Sequence, residues 1–133
     1  MKLFSIVLIL FLSANTIFAD VKDEKEIQKV ISQQISSFQA DDFENAFTFA
    51  SQSIKDIFGN SKNFGMMVRQ GFPMVWRTKT VLYLDLISVN GIPVQRVMVT
   101  DINDEIYTLN YMMLETAEGW RIRGVTIDNR PST

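Results

Sequence analysis

The hydrophobic pattern changes its period once, at Pro73, and this change limits the fold more than any other feature. Between Ile27 and Phe38, apolar residues recur at spacings of three and four, which is typical of a helix with one buried face. Beyond Pro73, apolar and polar residues alternate in runs of strand length. Helices followed by a run of strands are typical of an α+β domain.

The helical half divides into three predicted helices and one short helical turn. Asp41 and Asp42 end the first helix and are suited to capping the second, since adjacent carboxylates on a helix point apart and do not share a proton. The short turn closes at Gly59, and Asn60 caps a third helix that ends before Pro73.

The second half contains four predicted strands, at residues 81–87, 94–100, 106–115 and 120–127, separated by short turns. We predict an antiparallel meander whose curved sheet is covered on one face by the N-terminal helices. The acidic stretch between the second and third strands, residues 101–105, lacks the central Gly and the late Glu of a calcium loop. It is therefore predicted to be a plain turn.

The first 19 residues have the features of a secretory signal peptide. Lys2 supplies a positive charge, an apolar run extends from Leu3 to Leu12, and Ala19 offers a small residue before a cut. An uncleaved membrane anchor is the alternative, but the run is shorter than a spanning helix requires. We expect residues 20–133 to form one domain that is periplasmic or secreted and meets a membrane only during export.

Composition excludes several functional classes. The net charge is −2, and cleavage would remove only Lys2, so the domain stays mildly acidic and does not resemble a nucleic-acid binder. The chain has no Cys and no His, which excludes thiol nucleophiles, disulfides, Ser-His-Asp catalysis and His-based metal sites. We expect no metal and no cofactor, and stability that comes from packing alone.

Several motifs together resemble an uncharacterised bacterial family of short, often exported proteins, catalogued as a domain of unknown function. They are Phe58-Gly59, Phe64, Met67-Val68, Phe72-Pro73, Val75-Trp76, Gln95-Arg96-Val97, Thr100-Asp101, Tyr111, Gly119-Trp120-Arg121-Ile122 and Gly124-Val125. The resemblance covers residues 27–127. The layout is also similar to the nuclear transport factor 2-like (cystatin-like) α+β cone superfamily, in which a curved sheet wraps around helices. That superfamily includes isomerases, dehydratases and non-catalytic binding modules, so the resemblance implies a fold and no activity.

Candidate catalytic residues follow from the first strand and from that resemblance. Strict alternation along residues 81–87 places Tyr83 and Asp85 on the same face. In the steroid-isomerase-like branch of the superfamily, an Asp base and a Tyr donor act in an apolar pocket, which implies a pairing of Asp85 with Tyr83, Tyr107 or Tyr111. The alternative is a solvated Asp on the outer sheet face beside an arginine.

The aromatic and methionine side chains have two interpretations, core packing and the lining of an apolar pocket. The candidate pocket residues are Phe47, Phe64, Met67, Phe72 and Trp76. Trp76 is the candidate for the rim, because it lies where helices give way to the sheet.

The outer face of the sheet is predicted to carry Arg96, Met98, Arg121 and Arg123. Arg and Met are enriched in protein interfaces, and many proteins of the resembled superfamily pair through the sheet. A homodimer through this face is one interpretation, and an ordinary solvated face is the other. As a whole, the sequence favours a non-catalytic module that binds a small apolar ligand or a protein, with an isomerase- or dehydratase-like enzyme as the alternative.

Overall fold

Five helices precede four strands in the computed structural model, which describes the backbone of residues 16–128 and the side chains of residues 22–128. The helices are α1 (Thr16–Gln39), α2 (Phe43–Thr48), α3 (Gln52–Phe58), α4 (Ser61–Gly71) and α5 (Pro73–Trp76). The strands are β1 (Thr78–Val89), β2 (Ile92–Asp101), β3 (Ile106–Thr116) and β4 (Gly119–Asp128). The predicted α+β class and order of elements are confirmed.

Helix α1 buries the stripe that its spacing predicts. Ile27, Ile31, Ile35 and Phe38 are each at most 4% exposed, and the helix crosses the sheet against β1, β2 and β4. The helix begins at Thr16, within the predicted signal peptide, and the rest of that segment lies outside the described residues. None of the described helices is long and apolar enough to cross a membrane.

Side-chain caps set the starts of the next three helices. Asp42 accepts a hydrogen bond from the Asn45 backbone N–H at 3.1 Å, as predicted for the cap of α2. Ser51 caps α3 and Asn60 caps α4 in the same way. Helix α5 was not predicted, because Pro73 was interpreted only as a helix end, whereas proline also suits the first turn of a helix.

The sheet is an antiparallel meander with the strand order β1-β2-β3-β4. Its β4 edge receives one extra parallel bridge from the segment between α2 and α3, where the Ser51 N–H donates to the Ile122 carbonyl at 2.8 Å. The β2–β3 turn is held by Asp101, whose Oδ1 accepts from the backbone N–H groups of Asn103 and Glu105. This stretch is the plain turn that the sequence predicts.

A register shift in the pairing of β1 with β2 changes which side chains of β1 face the helices. Tyr83 pairs with Val97 and Leu86 pairs with Gln95, so one extra residue lies between them on β1. Tyr83 and Leu86 therefore both pack against the core, while Asp85 turns outward. The prediction that Tyr83 and Asp85 share a face is wrong, because the bulge breaks the alternation on which it was based.

The buried amide of Gln95 stabilises that bulge. Its Nε2 donates to the carbonyls of Leu84 at 2.9 Å and Asp85 at 3.3 Å, the two residues between the paired Tyr83 and Leu86. Its Oε1 lies 3.5 Å from the Gln28 Nε2 on α1. One side chain on β2 thus ties the bulge of β1 to the helix above it.

Candidate functional site

A largely apolar cavity of about 210 Å³, partly open to solvent, lies between the helices and the sheet. Its wall comes from α1, α3, α4, α5, β3, β4 and the connections between helices. The lining residues are Gln34, Phe38, Ala50, Ile54, Phe58, Phe64, Met67, Val68, Phe72, Val75, Tyr111, Ile122, Gly124 and Val125. None of the lining residues is charged, and only Gln34 and Tyr111 carry polar side chains.

Helix α4 forms the helical wall with Phe64, Met67 and Val68, which lie on one face because they are three and four residues apart. Phe64 is also the centre of an aromatic cluster, with ring centroids 5.1 Å from Phe47 and 5.8 Å from Phe58. These contacts fix the ring of Phe64 and hold α3 and α4 together. The helical side of the cavity wall is therefore held by packing between aromatic rings.

Gly65 allows α4 to approach the start of α2. A Cβ at this position would lie 2.8 Å from the ring of Phe43, closer than real side chains come. Any larger residue would push α4 away from α2 and open the aromatic cluster that lines the cavity.

On the sheet side of the cavity, a bulge in β4 determines which side chains line the wall. Tyr111 pairs with Val125 and Met113 pairs with Ile122, with a register shift between the two pairs. In a regular strand, residues three apart point to opposite faces, so the bulge is what lets Ile122 and Val125 both face the cavity.

The orientation of the Gln34 amide is determined by its neighbour. Nε2 donates to the carbonyl oxygen of Ala46 at 3.2 Å, and a carbonyl can only accept. After this bond the amide keeps its second N–H and its acceptor Oε1. The side chain is only 4% exposed and lies in the cavity wall, so Gln34 places one amide in a largely apolar lining.

Tyr111 is the second polar residue of the wall. It is completely buried, and its hydroxyl has no hydrogen-bond partner among the described residues. Burial raises the pKa of its phenol well above the ordinary value, and the nearby phenol of Tyr83 adds to this effect. The group is therefore neutral over the whole physiological range.

Tyr83, in contrast, uses its hydroxyl fully. It donates to the Gln28 carbonyl at 3.0 Å and is paired with the Ser32 hydroxyl. Its pKa is raised, mainly because of burial. These contacts fasten β1 to α1 and leave Tyr83 no free donor for a ligand.

Asp85 lies on the opposite face of the sheet from Tyr111. Its side chain is 58% exposed and accepts a hydrogen bond from the Arg96 guanidinium at 3.1 Å. Tyr107 donates to Glu105 at the exposed end of β3, and that acceptor raises the pKa of the Tyr107 phenol. The candidate base and the candidate donors therefore do not surround a common space.

The predicted pocket residues separate into two groups. Phe64, Met67 and Phe72 line the cavity, whereas Phe47 packs behind Phe64. Trp76 also does not line it and lies at the surface instead, where its Nε1 donates to Asp41 at 2.9 Å.

The surface position of Trp76 is set by contacts with distant residues. The guanidinium of Arg77 stacks 4.2 Å from the Trp76 ring centroid and binds both carboxylate oxygens of Asp41 at 3.0 Å. The hydrogen bonds from Arg77 and Trp76 lower the pKa of the Asp41 carboxyl. Arg77 also donates to the Phe38 and Gln39 carbonyls, so it caps the end of α1.

The outer sheet face carries Arg96 and Met98, which alternate with the buried Gln95 and Val97. Arg96 bridges to Asp85 and to Asp128, at 3.5 Å for the latter. On β4, Arg121 donates to the Trp120 carbonyl, and Arg123 is exposed. The arginines thus stand on the solvent side of the sheet, away from the cavity.

Sequence reasoning missed Gln34 as a residue of the cavity wall. Gln34 lies three residues after Ile31 and four before Phe38, on the stripe that α1 buries. A polar residue at such a position is the signal that could have identified it, because buried polar groups need partners.

Comparison with known proteins places the chain in a family. No curated protein and no solved structure matches it. Residues 20–133 match the family described as Domain of unknown function (DUF4864), and because this match spans most of the chain, the protein belongs to that family.

Proposed function

We propose that the domain is a non-catalytic module that binds a small, largely apolar ligand in the cavity between its helices and its sheet. The observation that carries the proposal is the cavity itself, about 210 Å³ of space with no charged group in its wall. Protein interiors are normally packed with few voids larger than a water molecule. A space of this size, partly open to solvent and lined mostly by apolar side chains, is therefore suited to a small ligand.

An apolar ligand would gain free energy in this space for two reasons. Its own apolar surface would leave water, and the cavity wall would recover dispersion contacts that an empty space does not provide. The wall has few groups with which water could bond, because a water molecule needs two to four polar partners. The cavity thus favours an apolar occupant over water.

Toluene is a suitable first probe, and it can be followed through the backbone amide signals in NMR spectra of the protein. We expect toluene to shift the signals of cavity residues such as Val68 and Val125. Val125→Phe should weaken binding at least tenfold, because the added ring occupies the cavity. Val81→Phe is the matched control, since Val81 lies on β1 outside the cavity wall. Equal binding by both variants, or no shifts in the cavity, would contradict the proposal.

The geometry does not favour the enzyme alternative. Asp85 is exposed and paired with Arg96, on the other side of the sheet from Tyr111. A general base must come within hydrogen-bond reach of the same substrate as its partner acid. The described residues of the cavity wall contain no group that could serve as that base at neutral pH.

We also propose that the protein is exported and that residues 1–19 are removed. The charged start, the apolar run and Ala19 support this, and the family match begins at the next residue, Asp20. Intact mass spectrometry of the protein recovered from an expressing bacterium tests it. We expect a chain that begins at Asp20 in the periplasmic fraction, and a full-length chain held in the membrane would contradict it.

The cone-like arrangement of helices on a curved sheet supports membership of the nuclear transport factor 2-like superfamily, which we retain as a proposal. An experimental structure that can be superimposed on known members over all four strands is the test.

A further inference from the structure

The edge of the sheet at β4 is partly occupied by the chain itself. β4 is the last strand in the order β1-β2-β3-β4, so one of its sides has no neighbouring strand. The segment before α3 covers the first part of that side. There the Ile122 N–H donates to the Phe49 carbonyl at 2.9 Å, and the Ser51 N–H donates to the Ile122 carbonyl at 2.8 Å. The chain then leaves the edge, because α3 begins at Gln52.

Residues 124–127 leave the next part of this edge open. They pair regularly with β3 on one side, and on the other side their backbone has no hydrogen-bond partner among the described residues. Natural proteins usually protect exposed edges with Lys, Pro or a bulge, as β1 does with Lys79 and its own bulge. Residues 124–127 contain no Lys and no Pro, so this stretch remains available to a further strand.

The mouth of the cavity lies beside this open stretch. Eight of the lining residues are buried, and the six that are only partly buried mark the mouth: Ile54, Phe58, Met67, Phe72, Gly124 and Val125. Four of these six belong to α3, α4 and the residue after α4, and the other two belong to β4. The cavity therefore opens between the helices and the unpaired edge of β4.

A strand added to this edge would bring side chains to the mouth. Side chains alternate between the two faces of a strand, so every second one would lie on the face that the helices cover. The cavity wall has no charged group, which favours an apolar side chain there. A cavity of about 150 Å³ holds benzene in another protein, so the space here has room for an aromatic ring.

We propose that residues 124–127 of β4 bind an extended peptide segment as an added strand, and that the cavity receives one apolar side chain of that segment. In this mode of recognition, main-chain hydrogen bonds supply affinity and a pocket for a side chain supplies specificity. The pairing of Ile122 with the segment before α3 shows that this edge accepts a strand. The inference rests on the proposed use of the cavity and extends the binding site to the strand edge at its mouth.

Two blocked heptapeptides test the inference by NMR titration with the unmodified protein. In both, threonine alternates with valine, and the central valine is replaced by phenylalanine in one and by alanine in the other. We expect the phenylalanine peptide to bind at least tenfold more tightly than the alanine peptide. Its binding should also slow hydrogen exchange of backbone amides within residues 124–127, because they gain hydrogen-bond partners.

Methylation of the peptide nitrogens tests the pairing itself. A strand directs alternate N–H groups to opposite sides, so methylation of every second nitrogen blocks one side and leaves the other intact. Of the two phenylalanine peptides methylated in this way, we expect one to lose binding and the other to retain it. Equal binding by both would contradict an added strand.

Val125→Phe provides the test on the protein side, because the new ring occupies the cavity. In this variant we expect the preference for the phenylalanine peptide to fall below twofold. Val81→Phe, on β1 and outside the cavity wall, should keep the tenfold preference. The comparison is a ratio of two peptides within one variant, so it is insensitive to a change in stability.

Two negative results are distinguishable. If toluene binds in the cavity but the two heptapeptides bind equally, or if hydrogen exchange slows on β1 instead of β4, the added strand is refuted while ligand binding stands. If neither toluene nor any peptide binds, the proposed function fails, and this inference fails with it.

Discussion

Replacement of Tyr111 by Phe removes a hydroxyl that is buried and makes no hydrogen bond to any described residue. A buried polar group without a partner costs about 1–3 kcal/mol of stability. The ring remains and keeps its apolar contacts, so the variant loses only that penalty. We expect Tyr111→Phe to raise the free energy of unfolding by roughly 1 kcal/mol, the low end of this range, because the lost oxygen leaves a small gap.

Tyr83→Phe is the matched control, since it removes the same atom from a hydroxyl that is fully bonded. Tyr83 donates to the Gln28 carbonyl and pairs with Ser32. The loss of such hydrogen bonds costs about 0.5–1.5 kcal/mol each, reduced here because Ser32 is exposed and can bond to water. We expect this variant to be destabilised by roughly 1 kcal/mol.

The two variants should therefore differ by about 2 kcal/mol with opposite signs, which corresponds to roughly 8 °C in Tm for a domain of this size. Urea unfolding monitored by tryptophan fluorescence measures both free energies, provided that the slope m is unchanged. If Tyr111→Phe is destabilised as much as Tyr83→Phe, the reasoning is refuted, since the Tyr111 hydroxyl would then have a partner.

Three further predictions follow from other contacts. Above pH 10.0, the ordinary pKa of tyrosine, the free energy of unfolding should fall faster with pH in the unmodified protein than in Tyr111→Phe, because Tyr111 ionises only when the chain unfolds. In urea titrations, the two slopes against pH should come to differ by about 1.4 kcal/mol per pH unit. As the pH falls below 3.8, Tm should drop less in Asp41→Asn than in the unmodified protein. The lowered pKa of Asp41 means that its pairing with Arg77 stabilises the fold above pH 3.8, and this stabilisation disappears as the carboxylate becomes protonated at lower pH. Gln95→Leu should lower the free energy of unfolding by roughly 2 kcal/mol, since the carbonyls at the β1 bulge lose their donor, whereas an unchanged urea midpoint would contradict this role.

The regular elements could be predicted from the sequence because their signals are local. The stripe on α1 and the alternation of β2 each depend on neighbours within a few residues, and the caps at Asp42 and Asn60 act over three residues. The predicted strands agree with the observed ones to within a few residues at each end. The packing of the helices on one face of the sheet follows from the order of the elements, because helices that precede a meander can cover only one of its faces without a crossover.

The features that the sequence did not reveal depend on contacts between distant positions. The bulge in β1 is stabilised by Gln95, ten residues beyond Asp85, and the run of residues 81–87 contains no sign of it. The place of Trp76 depends on Asp41, which lies 35 residues earlier in the chain. Neither contact changes the local hydrophobic pattern.

The cavity could be predicted only in part, for the same reason. Phe64, Met67 and Phe72 were candidates because they are large, apolar and close together in the sequence. Ile122 and Val125 both reach the cavity only because β4 contains a bulge, and a strictly alternating strand would place them on opposite faces.

The most direct test of the central claim is a crystal structure of the protein under xenon pressure. Xenon enters apolar cavities and is located by its strong anomalous scattering. We predict xenon between α4 and β4, in contact with Val68 and Val125. A crystal structure in which side chains fill this space and xenon is absent from it would contradict the claim that the domain holds a ligand there.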